Sequence, residues 1–423
     1  MIQNRYKIAI IGLGYVGLPL AIEFSKYYNT VGYDKSLKRI KELNLGIDNT
    51  NEIENKDFHK NKKLIFTTNN NDIRLSNIYI ITVPTPVNNK KQPDLSLIKS
   101  AIEIVSKHIK KNDIIILEST VYPGVSEEFC IPLIERLTDK KINKDFFFGY
   151  SPERVNPGDK KRTLTKIKKV VSGSNSQSTK KINNLYKKII TAGTYVASSI
   201  KVAEAAKVIE NTQRDINIAF INELSLIFNK LNINTNEVLK AASTKWNFID
   251  FKPGLVGGHC ISVDPHYLAH KSRQVGYNPK IILSGRNIND SMPKNIANES
   301  IKKIKSIGLK RQPRVLVMGI TFKENCPDIR NTQVVKIIKI FINKKFNVDV
   351  IDGIADNKLI KKEHKINMIL KPKKNYYDFI LLAVKHDLFY KIGIKNIRGF
   401  CNKNGFIYDL KSMFNYKDVD LSL

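Results

Sequence analysis

The stretch YKIAIIGLGYVGLPLAIEFSKYYNTVGYD, from Tyr6 to Asp34, decides how this chain is read. YKIAII is an apolar run of strand length that ends on a glycine. YVGLPLAIEFSKY repeats apolar side chains at helical spacing, and NTVGYD is a second short strand. Between the first strand and the helix lies Gly12-Leu13-Gly14-Tyr15-Val16-Gly17, a G-x-G-x-x-G pattern. The pattern is weak in isolation, but in this strand–turn–helix setting each glycine has a task. They allow a tight turn and bring the backbone close to a pyrophosphate, which sits at the helix N-terminus. Asp34 follows Gly14 by 20 residues, where a carboxylate bonds a ribose 2′-OH and repels a 2′-phosphate. NAD is therefore expected rather than NADP, with Lys35, Lys38 and Arg39 as nearby cations that argue the other way. A strand–helix turn holding no ligand is the alternative.

Outward from this stretch the same alternation continues. IYIITVPTP, DIIILEST, FFFGYSPERV, IKKVVSGSN and GTYVASS are further strands or strand ends with helical patterns between them, which predicts a parallel, doubly wound sheet. From Ser199 to Leu231 there is neither glycine nor proline. Apolar residues there recur at helical spacing, so one long helix is expected, spanning two domains or forming a dimer core. Helical pattern is expected to continue to about Lys305. A second strand–helix series then starts near Arg314: RVLVMGI, NTQVVKIIKIFINKK, NVDVIDG and YDFILLAV. The fold class expected is α/β, with two Rossmann-like doubly wound domains joined by a long central helix and a helical middle domain. The boundaries expected are 1–196, 197–306 and 307–423.

Composition bounds the function. The chain has 423 residues, too many for one ordinary core, and 42% of them are hydrophobic, enough for two or three domains. Cys130, Cys260, Cys326 and Cys401 are widely spaced with no CxxC pair, which argues against a disulfide framework and for a reducing compartment. No signal peptide and no apolar run of spanning length is visible, so the cytoplasm is expected and a membrane partner is not. The formal net charge is +32. The lysines are scattered over the whole chain, and the densest run, Lys160 to Lys169, lacks interleaved aromatics for base stacking. They read as solvated, and no specific nucleic-acid partner is expected.

Several polar motifs fall at strand ends, where a doubly wound sheet binds its ligands. TVPTP carries Thr85 and ESTVYPG carries Thr120; both read as ligand contacts or as hydroxyl caps. In SPERVNPG, Glu153 reads as a base and, equally, as half of a structural ion pair with Arg154. On the long helix Lys207, Asn211 and Arg214 fall on one face by spacing. A polar stripe on a mostly apolar helix calls for a partner such as a phosphosugar; a solvated stripe with Glu204 is the alternative.

GLVGGHCISVDPHYLAH, Gly254 to His270, holds Cys260 after three glycines. Cys260, His266 and His270 have the residue types of a zinc site, with the two histidines one helical turn apart. Gly254, Gly257 and Gly258 point elsewhere: they bring backbone close to a ligand and leave the thiol accessible. A cysteine beside His259 and near a helix N-terminus has a lowered pKa. With a nicotinamide site in the same chain, such a thiol fits aldehyde oxidation through a thiohemiacetal.

Together, GLGYVGLPLA, TVPTP, ESTVYPG, SPERVNPG, EAAKVIENTQRDINIAFINEL, GLVGGHCISVDPHYL and TFKENCPDIRNT resemble the UDP-glucose/GDP-mannose dehydrogenase family, in that family's order and over nearly the whole chain. The stretch KWNFIDFKPGLVGGHCISVDPHYLAHKS resembles the branch that acts on UDP-N-acetylhexosamines, in particular the Vi-antigen type acting on UDP-N-acetylglucosamine. Val263, where UDP-glucose enzymes typically carry lysine, disfavours plain UDP-glucose. The resemblance implies a four-electron oxidation of the sugar C6 alcohol to a carboxylate by two NAD. It implies Cys260 as nucleophile and Lys207 in proton transfer or oxyanion stabilisation, with Asn211 and Asp264 assisting and Glu153 and Thr120 linked to water activation. Substrate contacts are implied for Arg154, Val155, Lys207, Asn211, Arg214, Gly254, Phe322 and Lys323, with Lys411 a further candidate. NAD contacts are implied for Gly12, Gly14, Tyr15, Val16, Gly17, Asp34, Arg39, Thr85, Thr120 and Arg330. No metal is assigned. A homodimer through the long helix, and a uronic acid product destined for a surface polysaccharide, complete the expectation.

Overall fold

The structure is a computed structural model that describes residues 6–50, 52–53, 58, 63–88, 90–155, 161–258 and 261–423. The chain divides into two compact units. One comprises the residues up to Glu210 with His266–Tyr277, and the other Asn211–Pro265 with Asn278–Leu423.

The first unit is built on β1 (Lys7–Ile11), β2 (Asn29–Tyr33), β3 (Leu64–Thr67), β4 (Ile78–Ile81), β5 (Asp113–Leu117), β6 (Phe146–Tyr150), β7 (Lys169–Gly173) and β8 (Thr194–Val196). The spatial order is β3-β2-β1-β4-β5-β6-β7-β8. The winding direction reverses between β1 and β4, and that reversal opens a crevice at the carboxyl ends of the strands. Helices α1 (Gly17–Ser25), α2 (Leu37–Asn44), α3 (Ser96–Ser106), α4 (Ile131–Thr138) and α5 (Ser176–Lys187) cover the sheet. Ile8, Ile10, Ile80 and Ile116 pack toward α1, α2 and α5. Ala9, Ile11, Ile81 and Leu117 pack toward α3 and α4. Both faces are covered, which is why these strands read as unbroken apolar runs rather than as alternations. Each fully buried isoleucine or leucine contributes about 1.5–3 kcal/mol.

One pairing departs from the parallel sheet expected: β6 and β7 are antiparallel. A parallel return requires a crossover, usually a helix. The described part of the connection, Ser151–Val155 and Lys161–Lys168, contains only a short 3₁₀ turn at Leu164–Lys166.

The long helix is α6 (Ile200–Lys230), 31 residues in one piece. After it come α7 (Thr235–Ala242), α8 (Asp264–Gln274) and α9 (Lys280–Ser306). The further helical pattern expected to about Lys305 is supplied by these three helices, and the described residues between Ser243 and Val263 are turns and irregular backbone. Pro253, Gly254, Gly257 and Gly258 deny that stretch helical backbone.

The second sheet uses β9 (Arg314–Met318), β10 (Asn347–Ile351), β11 (Tyr377–Leu382), β12 (Cys401–Asp409) and β13 (Leu421–Ser422), in the order β10-β9-β11-β12-β13. All its pairings are parallel. Helices α10 (Val334–Asn343), α11 (Asn357–His364), α12 (Asp387–Ile392) and α13 (Ile394–Arg398) complete it. The α/β class, with two wound sheets separated in sequence by helices, is the one expected.

Candidate active site

The glycine turn is built as its pattern demands. Gly12 takes φ +100°, and a Cβ on Gly17 would stand 1.8 Å from Gly12 O and 2.5 Å from Thr82 Oγ1. Helix and strand therefore touch through backbone. At Gly14 a Cβ would meet nothing within 4 Å, so the space above the turn is open to a ligand. Val16, the residue just before α1, provides no side-chain cap, so the N–H groups at the helix N-terminus are not claimed by a capping side chain there. Asp34 accepts from Leu13 N at 2.9 Å through Oδ2 and from Ser36 N at 2.9 Å through Oδ1, which leaves a second lone pair on each oxygen. These residues fit a dinucleotide. Arg39 donates to Leu13 O at 3.0 Å and to Asp48 at 2.8 Å. It thus braces the turn, and its charge is answered by Asp48 rather than held ready for a 2′-phosphate.

Farther along the same sheet edge, Thr85 Oγ1 donates to Thr120 O at 2.7 Å, and Tyr267 donates to Thr85 O, so the TVPTP and ESTVYPG turns are tied together. The Thr85 hydroxyl hydrogen thus goes to the neighbouring turn rather than to a local cap. Glu153 forms an ion pair, but not with Arg154: its Oε2 accepts from Lys169 Nζ at 2.9 Å, and its Oε1 accepts from the backbone N–H of Arg154 and Val155 at 2.5 and 2.7 Å. Arg154 turns to Glu210 at 2.7 Å and to Lys168 O at 3.0 Å. Lys169 also donates to Glu118 Oε2 at 2.6 Å, whose other oxygen accepts from Tyr186. Burial works to raise the Glu153 carboxyl, but Lys169 and the two backbone donors outweigh it and hold the group below its ordinary value. Burial wins at Glu118, which is pushed up to about 7 against the pull of Lys169.

On α6, Lys207 is 9% exposed and has no hydrogen-bond or ion-pair partner among the described residues. One turn on, Asn211 Nδ2 donates to Asp264 Oδ2 at 2.6 Å, and both residues are buried. Arg214 is exposed, so it does not share their burial. In the second unit the loop from Gly254 is held from several sides. Asn222 bonds both ends of Gly254, accepting from its N–H at 2.8 Å and donating to its carbonyl at 3.0 Å. The same amide group donates to Asn289 Oδ1 at 2.8 Å, and Asn289 Nδ2 reaches Asp215 Oδ1 at 2.7 Å. Asp215 pairs with Arg286 at 2.5 Å. A Cβ on Gly254 would meet Lys411 Nζ at 3.2 Å, and burial pushes the Lys411 ammonium below its ordinary pKa. At Gly258 a Cβ would meet the Phe322 ring at 2.8 Å, so this glycine is needed where the loop crosses an aromatic face. Lys323 is half-buried next to Phe322. Arg330 is exposed and forks onto Asp328, with its closest contact 2.6 Å.

His259 and Cys260 lie outside the described residues. His266 is buried, while the His270 ring lies 5.3 Å from Tyr122 and its Nε2 is 3.1 Å from Gln274 Nε2. Among the described residues no group of three or more histidine, cysteine or acidic side chains is arranged to hold a metal ion.

Three family models match in order: UDP-glucose/GDP-mannose dehydrogenase family, NAD binding domain over residues 6–190, central domain over 201–291, and UDP binding domain over 316–416. The chain belongs to the UDP-glucose/GDP-mannose dehydrogenase family. It is an NAD-dependent UDP-sugar dehydrogenase, and the glycine turn with Asp34 is where NAD fits. The chain is 50% identical over 422 residues to a UDP-N-acetyl-D-glucosamine 6-dehydrogenase of Pseudomonas aeruginosa, covering 99% of each. It is likewise 50% identical over 421 residues to the enzyme of that name from Salmonella typhi, again covering 99% of each. Among solved structures, a UDP-D-ManNAc dehydrogenase from Pyrococcus horikoshii superposes with a TM-score of 0.86 at 28% identity, covering 97% of this chain and 96% of that one. No described helix is long and apolar enough to cross a membrane.

Sequence reasoning missed several buried charged side chains. Lys169 was read as part of a solvated basic run and is 2% exposed, the centre of the Glu118–Glu153–Tyr186 cluster. Period-two alternation in IKKVV was the available signal, since it turns Lys168 outward and Lys169 inward. Glu204, which the alternative reading put in a solvated stripe, is fully buried and accepts from Gly124 N at 2.5 Å and Ser126 N at 2.9 Å. Burial pushes it, too, up to about 7. A carboxyl whose folded pKa is raised binds its proton more tightly folded than unfolded. Its stabilising effect is therefore full below about 4.5 and is lost as pH rises through about 7. The enzyme is expected to melt at a higher temperature at pH 5.5 than at pH 8. Glu118→Gln should flatten that slope by on the order of 2 kcal/mol, read by calorimetry at the two pH values. An unchanged slope in the variant counts against the assignment.

Proposed function

We propose that this dehydrogenase oxidises the C6 alcohol of a UDP-N-acetylhexosamine, in the first place UDP-N-acetyl-D-glucosamine, to the uronic acid. The observation that carries the reading is Lys207, a buried ammonium with no described partner. A buried cation without a counter-charge is costly unless a ligand completes it, and a C6 oxygen that develops negative charge is such a ligand. The choice of sugar rests on the two near-full-length relatives at 50% identity. Dehydrogenases named for UDP-N-acetylmannosamine match at 31% or below.

Gly12, Gly14, Gly17 and Asp34 would hold NAD, which would supply the hydride acceptor for C6. Lys207, with Asn211 and Asp264 fixing its surroundings, stabilises the C6 oxygen and carries its proton. The Cys260 thiolate attacks the aldehyde carbon, and the resulting thiohemiacetal becomes a thioester by losing the C6 hydride to the second NAD that the reaction would consume and its oxygen-bound proton to solvent. Water cleaves the thioester, releasing the carboxylate and restoring the thiol. Glu153 and Thr120 order that water. Arg154, Val155, Arg214, Gly254, Phe322, Lys323 and Lys411 hold the nucleotide sugar, and Arg330 reaches toward the cofactor. Residues 1–196 serve NAD, 197–306 carry the catalytic loop and subunit contact, and 307–423 bind the UDP-sugar. A homodimer is supported by α6, which leaves Val202, Ile209, Phe220 and Ile227 exposed along one face. We place the enzyme in the cytoplasm and its product in surface polysaccharide synthesis.

The test follows NADH absorbance with purified enzyme, NAD and each UDP-sugar in turn. Two NADH are expected per UDP-N-acetylglucosamine consumed, with UDP-N-acetylgalactosamine slower and UDP-glucose slowest. One NADH per sugar, or UDP-glucose turning over fastest, overturns the reading.

A further inference from the structure

The two sheets share one strand-end geometry. In the first, Gly12 N donates to Tyr33 O at 2.8 Å, Leu13 N to Asp34 Oδ2 at 2.9 Å and Ser36 N to Asp34 Oδ1 at 2.9 Å. In the second, Gly319 N donates to Ile351 O at 2.8 Å, Ile320 N to Asp352 Oδ2 at 2.7 Å and Ile354 N to Asp352 Oδ1 at 2.8 Å. Gly12 and Gly319 take φ +100° and +93°. Asp352 thus occupies in the second sheet the place that Asp34 holds in the first, but its surroundings differ. Asp34 is half-buried, whereas the Asp352 side chain is 0% exposed, accepts also from Ala355 N at 2.9 Å, and lies 3.2 Å from His386 Nε2. No ribose can reach it.

His386 is equally buried. Its Nδ1 accepts from Asn325 N at 3.0 Å, so the ring hydrogen sits on Nε2, shared between Asp352 and Thr321 Oγ1 at 3.2 Å each. The Thr321 hydroxyl passes its own hydrogen to Lys323 O at 2.9 Å. The ring therefore grips the turn Thr321-Phe322-Lys323-Glu324-Asn325 at both ends.

We propose that His386, anchored by Asp352, is a positioning residue for the UDP-sugar: it sets the 321–325 turn so that Phe322 and Lys323 face the substrate. The proposal rests on the assignment of Phe322 and Lys323 as substrate contacts. Burial works to raise the Asp352 carboxyl, but His386 and the backbone donors hold it down at about 2, so the anchor stays charged over the working pH range.

Asparagine and glutamine each reproduce one half of the ring. His386→Asn keeps an acceptor where Nδ1 sits; His386→Gln keeps a donor where Nε2 sits. Each variant of the full enzyme is titrated with UDP alone, and KM is measured for UDP-N-acetylglucosamine and for NAD. Glutamine is expected to weaken UDP binding about tenfold, the loss of one well-placed hydrogen bond. Asparagine should hold within about threefold of wild type, and the KM for NAD should move in neither. Equal losses in the two variants, an unchanged UDP affinity in His386→Gln, or a KM for NAD that rises in step each overturn the proposal. Should His386→Gln fail to fold, His386→Ala, which also removes the acceptor for Asn325 N, takes its place: the same selective loss of UDP affinity supports the proposal and its absence overturns it. Wild type that binds UDP but oxidises no UDP-hexosamine defeats the substrate reading, and His386 is then judged on UDP affinity alone.

Discussion

Cys260→Ala is expected to lower the rate of complete oxidation of UDP-N-acetylglucosamine by on the order of 10³-fold or more, as removal of a covalent nucleophile does. NADH yield should fall from two per sugar to one or fewer, with the C6 aldehyde detectable by mass spectrometry. The structure narrows the choice of thiol. Cys130, Cys326 and Cys401 are all buried, and burial pushes Cys130 well up and Cys401 to about 12. At neutral pH these are poor nucleophiles. Limited alkylation should therefore label one thiol, and mapping should place it at Cys260. An alanine variant that still delivers two NADH per sugar at the wild-type rate removes the covalent route and leaves only the dehydrogenase.

The second large effect separates two glycines three residues apart. Gly17→Ala places a methyl carbon 1.8 Å from Gly12 O, against backbone that has nowhere to go. A loss of at least about 3 kcal/mol of stability is expected, with NAD binding abolished. Gly14→Ala meets nothing within 4 Å, so the protein without cofactor should melt near the wild-type temperature. Its methyl group stands where the pyrophosphate approaches, and NAD affinity should fall about 100-fold, or about 2.7 kcal/mol. Thermal melting with and without NAD distinguishes the two: wild type is stabilised by the cofactor, Gly14→Ala is not, and Gly17→Ala melts early in either condition. Normal NAD binding by Gly14→Ala would mean that the dinucleotide does not cross the turn there.

Much of this was legible because it is local. The strand–glycine–helix order and the spacing from Gly14 to Asp34 are properties of consecutive residues, and so is the unbroken helix from Ile200. What was not legible is set by partners far apart in sequence. Glu153 was weighed as a base or as a partner of Arg154, yet its counter-ion is Lys169, delivered by the next strand. Whether a strand lysine points in or out depends on register, and a shift of one residue reverses it. Gly254 read as a loop glycine gives no hint of Asn222, 32 residues away on α6, whose amide closes on it. The antiparallel turn of β7 was hidden for a similar reason, because an apolar run of strand length carries no sign of its direction.

The anchorage of Gly254 also bears on how this enzyme responds to heat. Asn222, Asn289, Asp215 and Arg286 form a buried chain of hydrogen bonds rather than a greasy contact. Apolar packing loosens by degrees, whereas a doubly bonded amide pair is either closed or open, and opening it exposes every polar group behind it. The loop before Cys260 therefore behaves as a latch. Local opening of such a chain is expected to precede loss of the sheet cores on heating, so activity should fall at a lower temperature than the one at which the hydrophobic cores melt.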